Sequence, residues 1–200
     1  MGATRRITAK TKIFQLKIQL AHIRPPVWRR VLVPGEIDLG ELHEVIQTAF
    51  GWTNSHLHEF EVGDASYGTP DPDWGRDDVQ DESRAKLFRL AGEGSRLGYT
   101  YDFGDNWQHQ LTIEKVLDPE SGTRYPSCTA GRRACPPEDV GGPWGYEDFL
   151  DALADPNHED HDDRIEWIGG SFDPDAFDLT ATNTELKALA WAAGPIRTVR

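Results

Sequence analysis

The sequence predicts an α+β domain in which strands come first and most helices last. Three observations lead there. The stretch "IFQLKIQL" alternates apolar and polar residues, as a strand buried on one face does. A capped amphipathic helix soon follows. Strand patterns then fill the middle and three helical patches close the chain, an order that argues against a doubly wound sheet. Two hundred residues suit one domain of ordinary size, and seven Trp, eight Phe and five Tyr supply bulky core material.

In the first strand Phe14, Leu16, Ile18 and Leu20 share one face, with Gln15, Lys17 and Gln19 on the other. "HIRPP" interrupts it, because proline cannot donate to a ladder. "VWRRVLV" (27–33) reads as a second strand, with Val27, Val31 and Val33 opposite Trp28, Arg30 and Leu32. Asp38 and Glu41 form an acidic variant of the capping box. Leu39, Leu42, Ile46, Ala49 and Phe50 recur at helical spacing, and Gly51 stands where a left-handed cap stops the helix. His43, beside that stripe, is expected to be packed.

"HLHEFEV" (56–62) alternates again, with His56, His58, Phe60 and Val62 on one face. From residue 63 to about residue 80 the chain is acidic, with Pro and Gly, and reads as a long loop. "KLFRL" (86–90) reads as a short strand, and residues 125–145, rich in Gly and Pro, read as irregular. "YEDFLDALA", "DDRIEWI" and "TELKALAWAA" are the helical patches.

The segment "YTYDFGDNWQH" (99–109) reads as a hairpin. Tyr99, Tyr101 and Phe103 fall on one face, and Trp107, His109, Leu111 and Ile113 on the matching face of the partner strand. Aligning those faces sets Phe103 opposite Trp107 around a three-residue loop, Gly104-Asp105-Asn106, and Tyr101 opposite His109, with Asp102 pointing away. An Asp102–His109 dyad is therefore not expected. Turning the rings outward would forfeit roughly 1.5–3 kcal/mol for each large apolar side chain.

The formal net charge of −13 hides an asymmetry. Residues 1–35 hold eight Lys/Arg and no acid, which leaves 21 − 8 = 13 bases against 34 acids in the rest, a net of −21. So acidic a body repels phosphate, which disfavours tight nonspecific nucleic-acid binding. No apolar run approaches the length of a membrane span, and the basic N-terminus has no apolar segment behind it, so a cytoplasmic protein with no membrane partner is expected. Cys128 and Cys135 are too few for a disulfide framework, and their spacing does not match paired zinc knuckles.

Seven stretches occur in order: "PPVWRRVLVPG", "LGELHEVIQTAFGW", "HLHEF", "YTYDFGDNWQH", "RRACPPEDVGG", "GYEDF" and "EWIGGSFDPDAFD". Together they resemble the family named after the third open reading frame of the Agrobacterium Ri plasmid, over roughly residues 12 to 187. The resemblance implies a single domain of the α/β-roll kind, with a basic arm (1–11) before it and a helix end and tail (188–200) after it. It implies no established activity. Members are often labelled mobile-element passengers or "TnpR" resolvases, but this chain has no serine set among several arginines, and its C-terminal third is its most acidic part.

The remaining constellations suggest two functions. Trp28 with Arg29 and Arg30 would, if exposed, meet phosphates or stacked bases; otherwise Trp28 packs and the arginines meet the acidic helices. Arg132 and Arg133 lie in a Gly/Pro segment that lacks the Lys-Ser/Thr pair of a phosphate loop. His56, His58 and His109 on apolar-facing positions, joined by Cys128 or Cys135, are candidate zinc ligands. The leading expectation is a non-catalytic module that binds a protein, peptide or nucleic-acid partner, without cofactor, through Trp28, Arg29, Arg30, Tyr101, Asp102, Trp107, Arg132 and Arg133. Its groove is expected between the aromatic hairpin and the Gly/Pro loop. The alternative is a metal-assisted hydrolase or nuclease using His58, His109 and nearby carboxylates.

Overall fold

Alternating apolar residues fold the first two segments into β1 (Ile13–Leu20) and β2 (Trp28–Pro34), antiparallel, with Leu16 opposite Val31 and Ile18 opposite Arg29. The computed structural model describes residues 12–71 and 78–189; the basic arm and the chain beyond residue 189 lie outside the described residues. After β2, Asp38 caps α1 (Leu39–Phe50). Its carboxylate accepts from the Glu41 amide and the Glu41 carboxylate accepts from the Asp38 amide, both at 2.9 Å. Gly51, at φ 83°, ends the helix in the left-handed region that glycine adopts without strain.

One mixed sheet holds β1 and β2 together with β3 (His58–Val62), β4 (Ala65–Gly68), β5 (Gln80–Asp81), β6 (Arg96–Tyr101), β7 (Trp107–Leu117) and β8 (Ser127–Arg132). Its order is β5-β4-β3-β6-β7-β1-β2-β8, antiparallel except for β4 with β5. The helices are α1, a short α2 (Leu87–Leu90), α3 (Gly142–Ala154), α4 (His161–Ile168) and α5 (Leu179–Ala188). A single core joins the sheet residues Leu16, Ile18, Phe60, Tyr99, Trp107 and Leu111 to α1 through Leu42 and Ile46, to α3 through Phe149 and to α5 through Leu186. This is one α+β domain, as the residue patterns and the family resemblance both imply.

Several local expectations need correction. "KLFRL" contains the helix α2, because the amides of Leu87 and Phe88 donate to the Ile37 and Gly35 carbonyls instead of to a strand. The 63–80 segment carries β4 and β5, and the 125–145 segment carries β8 and the start of α3. These strands have two to six residues and little apolar alternation, so sequence periodicity could not find them.

The hairpin keeps its predicted faces but slips by two residues. Tyr101, not Phe103, opposes Trp107, and Tyr99, not Tyr101, opposes His109. A two-residue slip preserves which side chains face the core, so the apolar pattern cannot distinguish the two registers. The turn decides. Asp102 adopts φ 54°, leaves the ladder, and donates its amide to the Leu57 carbonyl at 2.9 Å. Phe103 is consequently 46% exposed instead of packed. No Asp102–His109 contact forms: the Nδ1 of His109 donates to the Trp107 carbonyl at 3.0 Å.

Arg29 is the least expected core residue, at 3% exposure. Strand parity puts it on the face of Val27, Val31 and Val33. Its guanidinium donates to the carbonyls of Ala49, Trp28 and Arg132 at 2.9, 2.9 and 3.1 Å and lies between the rings of Phe50 and Phe177. A planar fork suits that slot. Arg29→Met should retain the volume but strand buried carbonyls of α1 and β8, lowering the unfolding free energy by roughly 2–4 kcal/mol. Urea unfolding at pH 7 measures this, and a loss under about 0.5 kcal/mol would contradict the assignment.

Candidate functional site

Three loops meet where β6 turns into β7: residues 51–57, 102–106 and 133–141. Hydrogen bonds join them directly. The Trp52 indole donates to the Pro136 carbonyl at 3.0 Å, the Thr53 amide donates to Glu138 at 3.1 Å, and the Gly141 amide donates to Asp105 at 3.1 Å. Gly142 follows at φ 70°, and a Cβ there would stand 2.4 Å from the Asp105 carbonyl oxygen, so only glycine lets α3 begin against this turn. Among the described residues, five of the six non-glycine residues at positive φ lie in these loops: Asn54, Asp102, Asn106, Arg133 and Asp139. Four of the five are Asn or Asp, the types that tolerate this region best.

A closed hydrogen-bond cycle under the first loop sets its path. The Asn54 amide donates to Gln47 Oε1 (3.1 Å), and Gln47 Nε2 donates to the Tyr99 hydroxyl (3.0 Å). That hydroxyl donates to His43 Nδ1 (2.8 Å), and His43 Nε2 donates to Asn54 Oδ1 (2.6 Å). The Asn54 oxygen can only accept, and this fixes the histidine tautomer and the direction of every bond. His43 and Gln47 are one helical turn apart on α1, so helix spacing presents both to β6.

A second chain of bonds uses Tyr101. The Ser55 amide donates to its hydroxyl (3.0 Å), which donates to Glu138 (2.5 Å). Glu138 also accepts from the Thr53 hydroxyl. Burial and then the Glu138 carboxylate raise the Tyr101 pKa, so this phenol stays protonated. Beside it, His56 Nε2 lies 3.1 Å from Asp139 Oδ1 and 3.7 Å from Asp102 Oδ2, and these three donor atoms all lie within 4.8 Å of one another.

The expected zinc ligands are not brought together. His58 stacks on His43, with ring centroids 3.5 Å apart, and meets Glu82 at 2.7 Å. His109 is enclosed by Phe50, Trp52 and Tyr99. Cys128 and Cys135 are free thiols whose pKa values burial raises, which disfavours the thiolate that a metal or an electrophile needs. His56, with Asp102 and the unforeseen Asp139, forms the one close group of potential metal ligands among the described residues.

The other predicted site residues are distributed as follows. Tyr101 and Trp107 are core rings, Arg29 is buried, and Trp28 lies on the opposite face of the sheet under Lys17 and Arg30. Arg30 pairs through two nitrogens with Glu114 of β7 at 2.6 and 2.8 Å, not with an acidic helix. That contact raises the Arg30 pKa and lowers that of Glu114. Arg132 is exposed at the end of β8, and Arg133 meets Asp175 at 2.5 Å. A groove of about 720 Å³ lies between the β1–β2 loop and α3, not between the hairpin and the Gly/Pro loop, and is lined by Leu20, Ile23, Pro26 and Trp144 together with Gln19 and Arg24. Asn54, Glu138 and Asp139 are further residues of the site; they lie in polar loop stretches, Thr53-Asn54-Ser55 and Glu138-Asp139, where periodicity does not mark them.

Comparison with known proteins agrees with this architecture. The family model described as plasmid pRiA4b ORF-3-like protein matches residues 12–181. The uncharacterized protein y4hQ of Sinorhizobium fredii is 45% identical over 184 residues, covering 90% of this chain and 94% of its own. The crystal structure of MM3350, a protein of unknown function from Methanosarcina mazei, superposes with a TM-score of 0.79 at 41% identity, covering 84% of this chain and 96% of its own.

The two buried histidines make stability depend on pH. Burial, with the neighbouring His58 second, lowers the His43 pKa from 6.5 to about 3, and burial lowers that of His109 to about 4. Both are neutral in the folded chain, whereas the unfolded chain takes up protons below about pH 6.5. Their contribution is therefore complete above that pH and is lost as pH falls toward 3–4. Each should add up to roughly 1.4 kcal/mol of stability loss per pH unit within that window. Urea titrations at pH 7.5 and 5.0 should differ by about 2 kcal/mol less in His109→Leu than in the parent. An unchanged difference would contradict the assignment.

Proposed function

The chain belongs to the plasmid pRiA4b ORF-3-like family, and on that premise we propose that it is a non-catalytic binding module that takes a protein or peptide partner where the three loops meet. The observation that carries this is the exposure of large apolar side chains around loops that hydrogen bonds tie to one another. Leu57 is 61% exposed, Phe103 46% and Trp144 80%. Exposed aromatics on a rigid support are what interface anchors require. Trp144 also lines the groove beside the β1–β2 loop.

A nucleic-acid partner fits less well, because Arg29 is internal and Arg30 is neutralised by Glu114. The hydrolase reading is weakened by the same kind of fact. His109 is buried and bonded to backbone, and His58 is engaged by Glu82 and His43, so neither is presented to a substrate. Cytoplasmic action and a link to mobile elements belong to this reading, since the family is described by a plasmid reading frame. No helix among the described residues is long and apolar enough to cross a membrane.

Selection of peptides from a random display library on the immobilised full chain tests the proposal. Enriched peptides should bind in solution and weaken at least about tenfold with Trp144→Ala or Phe103→Ala. Binders indifferent to both substitutions would contradict it. So would hydrolysis of model esters or phosphodiesters that disappears in His58→Ala.

A further inference from the structure

We propose that His56, Asp102 and Asp139 form a binding site for a divalent transition cation, zinc or manganese. The three donor atoms are supplied by the three loops, one each. His56 Nε2 lies 3.1 Å from Asp139 Oδ1 and 3.7 Å from Asp102 Oδ2, and no pair is separated by more than 4.8 Å. Ligand atoms bound about 2.0–2.2 Å from one ion stand roughly 3.0–3.6 Å apart in octahedral or tetrahedral arrangements. One observed spacing, 3.1 Å, falls inside that range and the other, 3.7 Å, lies just above it, so an ion fits once the side chains draw slightly closer.

One further observation points to a ligand. The Nε2 atom of His56 is buried although its side chain as a whole is 30% exposed, and its 3.1 Å contact with Asp139 lacks hydrogen-bond geometry, whereas buried ring nitrogens are normally satisfied. Asp102 is only 8% exposed, and its carboxylate is already oriented: Oδ1 accepts from the Gly104 amide at 2.9 Å and the Asp105 amide at 3.4 Å, which turns Oδ2 toward His56. Outer hydrogen bonds of this kind aim a metal ligand before the ion arrives.

The chemistry of the set selects the ion. Two carboxylates provide the charge that a divalent cation balances, and the imidazole favours a borderline transition metal over magnesium or calcium, which prefer all-oxygen surroundings. Three protein ligands also leave a coordination position open. The bound ion would cross-link the loops that carry Leu57 and Phe103, adjacent in sequence to His56 and Asp102. The site nevertheless stands on its own geometry and does not depend on the binding-module reading.

The test is calorimetric titration of untagged, chelator-treated full chain with zinc chloride, manganese chloride and magnesium chloride at pH 7.5. The expected result is one zinc or manganese ion per chain, with magnesium much weaker. Asp139→Asn and His56→Gln should each weaken binding at least about tenfold, as loss of a direct ligand does. Asp139 has a side chain 70% exposed, so its variant should fold, which circular dichroism verifies. Replacing both cysteines with serine should leave binding intact. Absence of saturable binding, or stoichiometric binding that survives both ligand substitutions, would overturn the site. Neither result depends on whether display selection recovers peptides, so the two proposals can fail separately.

Discussion

The arrangement of the loops depends on one cycle of four hydrogen bonds that reaches from the core to the exposed Asn54: Asn54 to Gln47, Gln47 to Tyr99, Tyr99 to His43, and His43 back to Asn54. Each member both gives and receives. If His43 were protonated, its Nδ1 could no longer accept, and the Tyr99 hydroxyl would face a donor on each side. The cycle therefore requires a neutral imidazole, and burial against the sheet supplies one by lowering the His43 pKa. Packing and hydrogen bonding reinforce each other here: the apolar surroundings that would penalise a charge also strengthen the satisfied bonds.

Consequences run outward from that cycle. Asn54, held at φ 58°, directs the chain so that the Ser55 amide reaches the Tyr101 hydroxyl, and Tyr101 reaches Glu138 in the third loop. Leu57 then receives the Asp102 amide, which removes Asp102 from the ladder and sets the hairpin register. The same turn leaves Phe103 at the surface and points Asp102 at His56. Exposed aromatics and the His-Asp-Asp group thus have one structural origin, a set of loops fixed from beneath by core residues.

Much of the scaffold was legible in the sequence because local physics specifies it. The Asp38–Glu41 box and Gly51 mark both ends of α1, and alternation marks β1 and the faces of β6 and β7. Parity would put Arg29 among the buried valines, but its charge points to the surface, and the structure follows parity. What stayed illegible was non-local. The two-residue hairpin slip is invisible to periodicity, and β4, β5 and β8 exist because neighbouring strands offer them hydrogen bonds. Asp139 approaches His56 only through the folded path of a Gly/Pro loop. Histidines were correctly read as packed at position 43, whereas the grouping of His56, His58 and His109 failed because β3 starts at His58 and leaves His56 in the preceding loop.

The central claim is that the first loop is part of the core's cooperative unit and not a mobile surface connection. Native-state hydrogen exchange of the Asn54 and Ser55 amides, which donate to Gln47 and Tyr101, tests it most directly. The account predicts that both exchange only through global unfolding, with protection matching the amides of β6 and β7 and the same dependence on denaturant. Exchange of these two amides through low-energy local opening, while β6 and β7 remain protected, would contradict it.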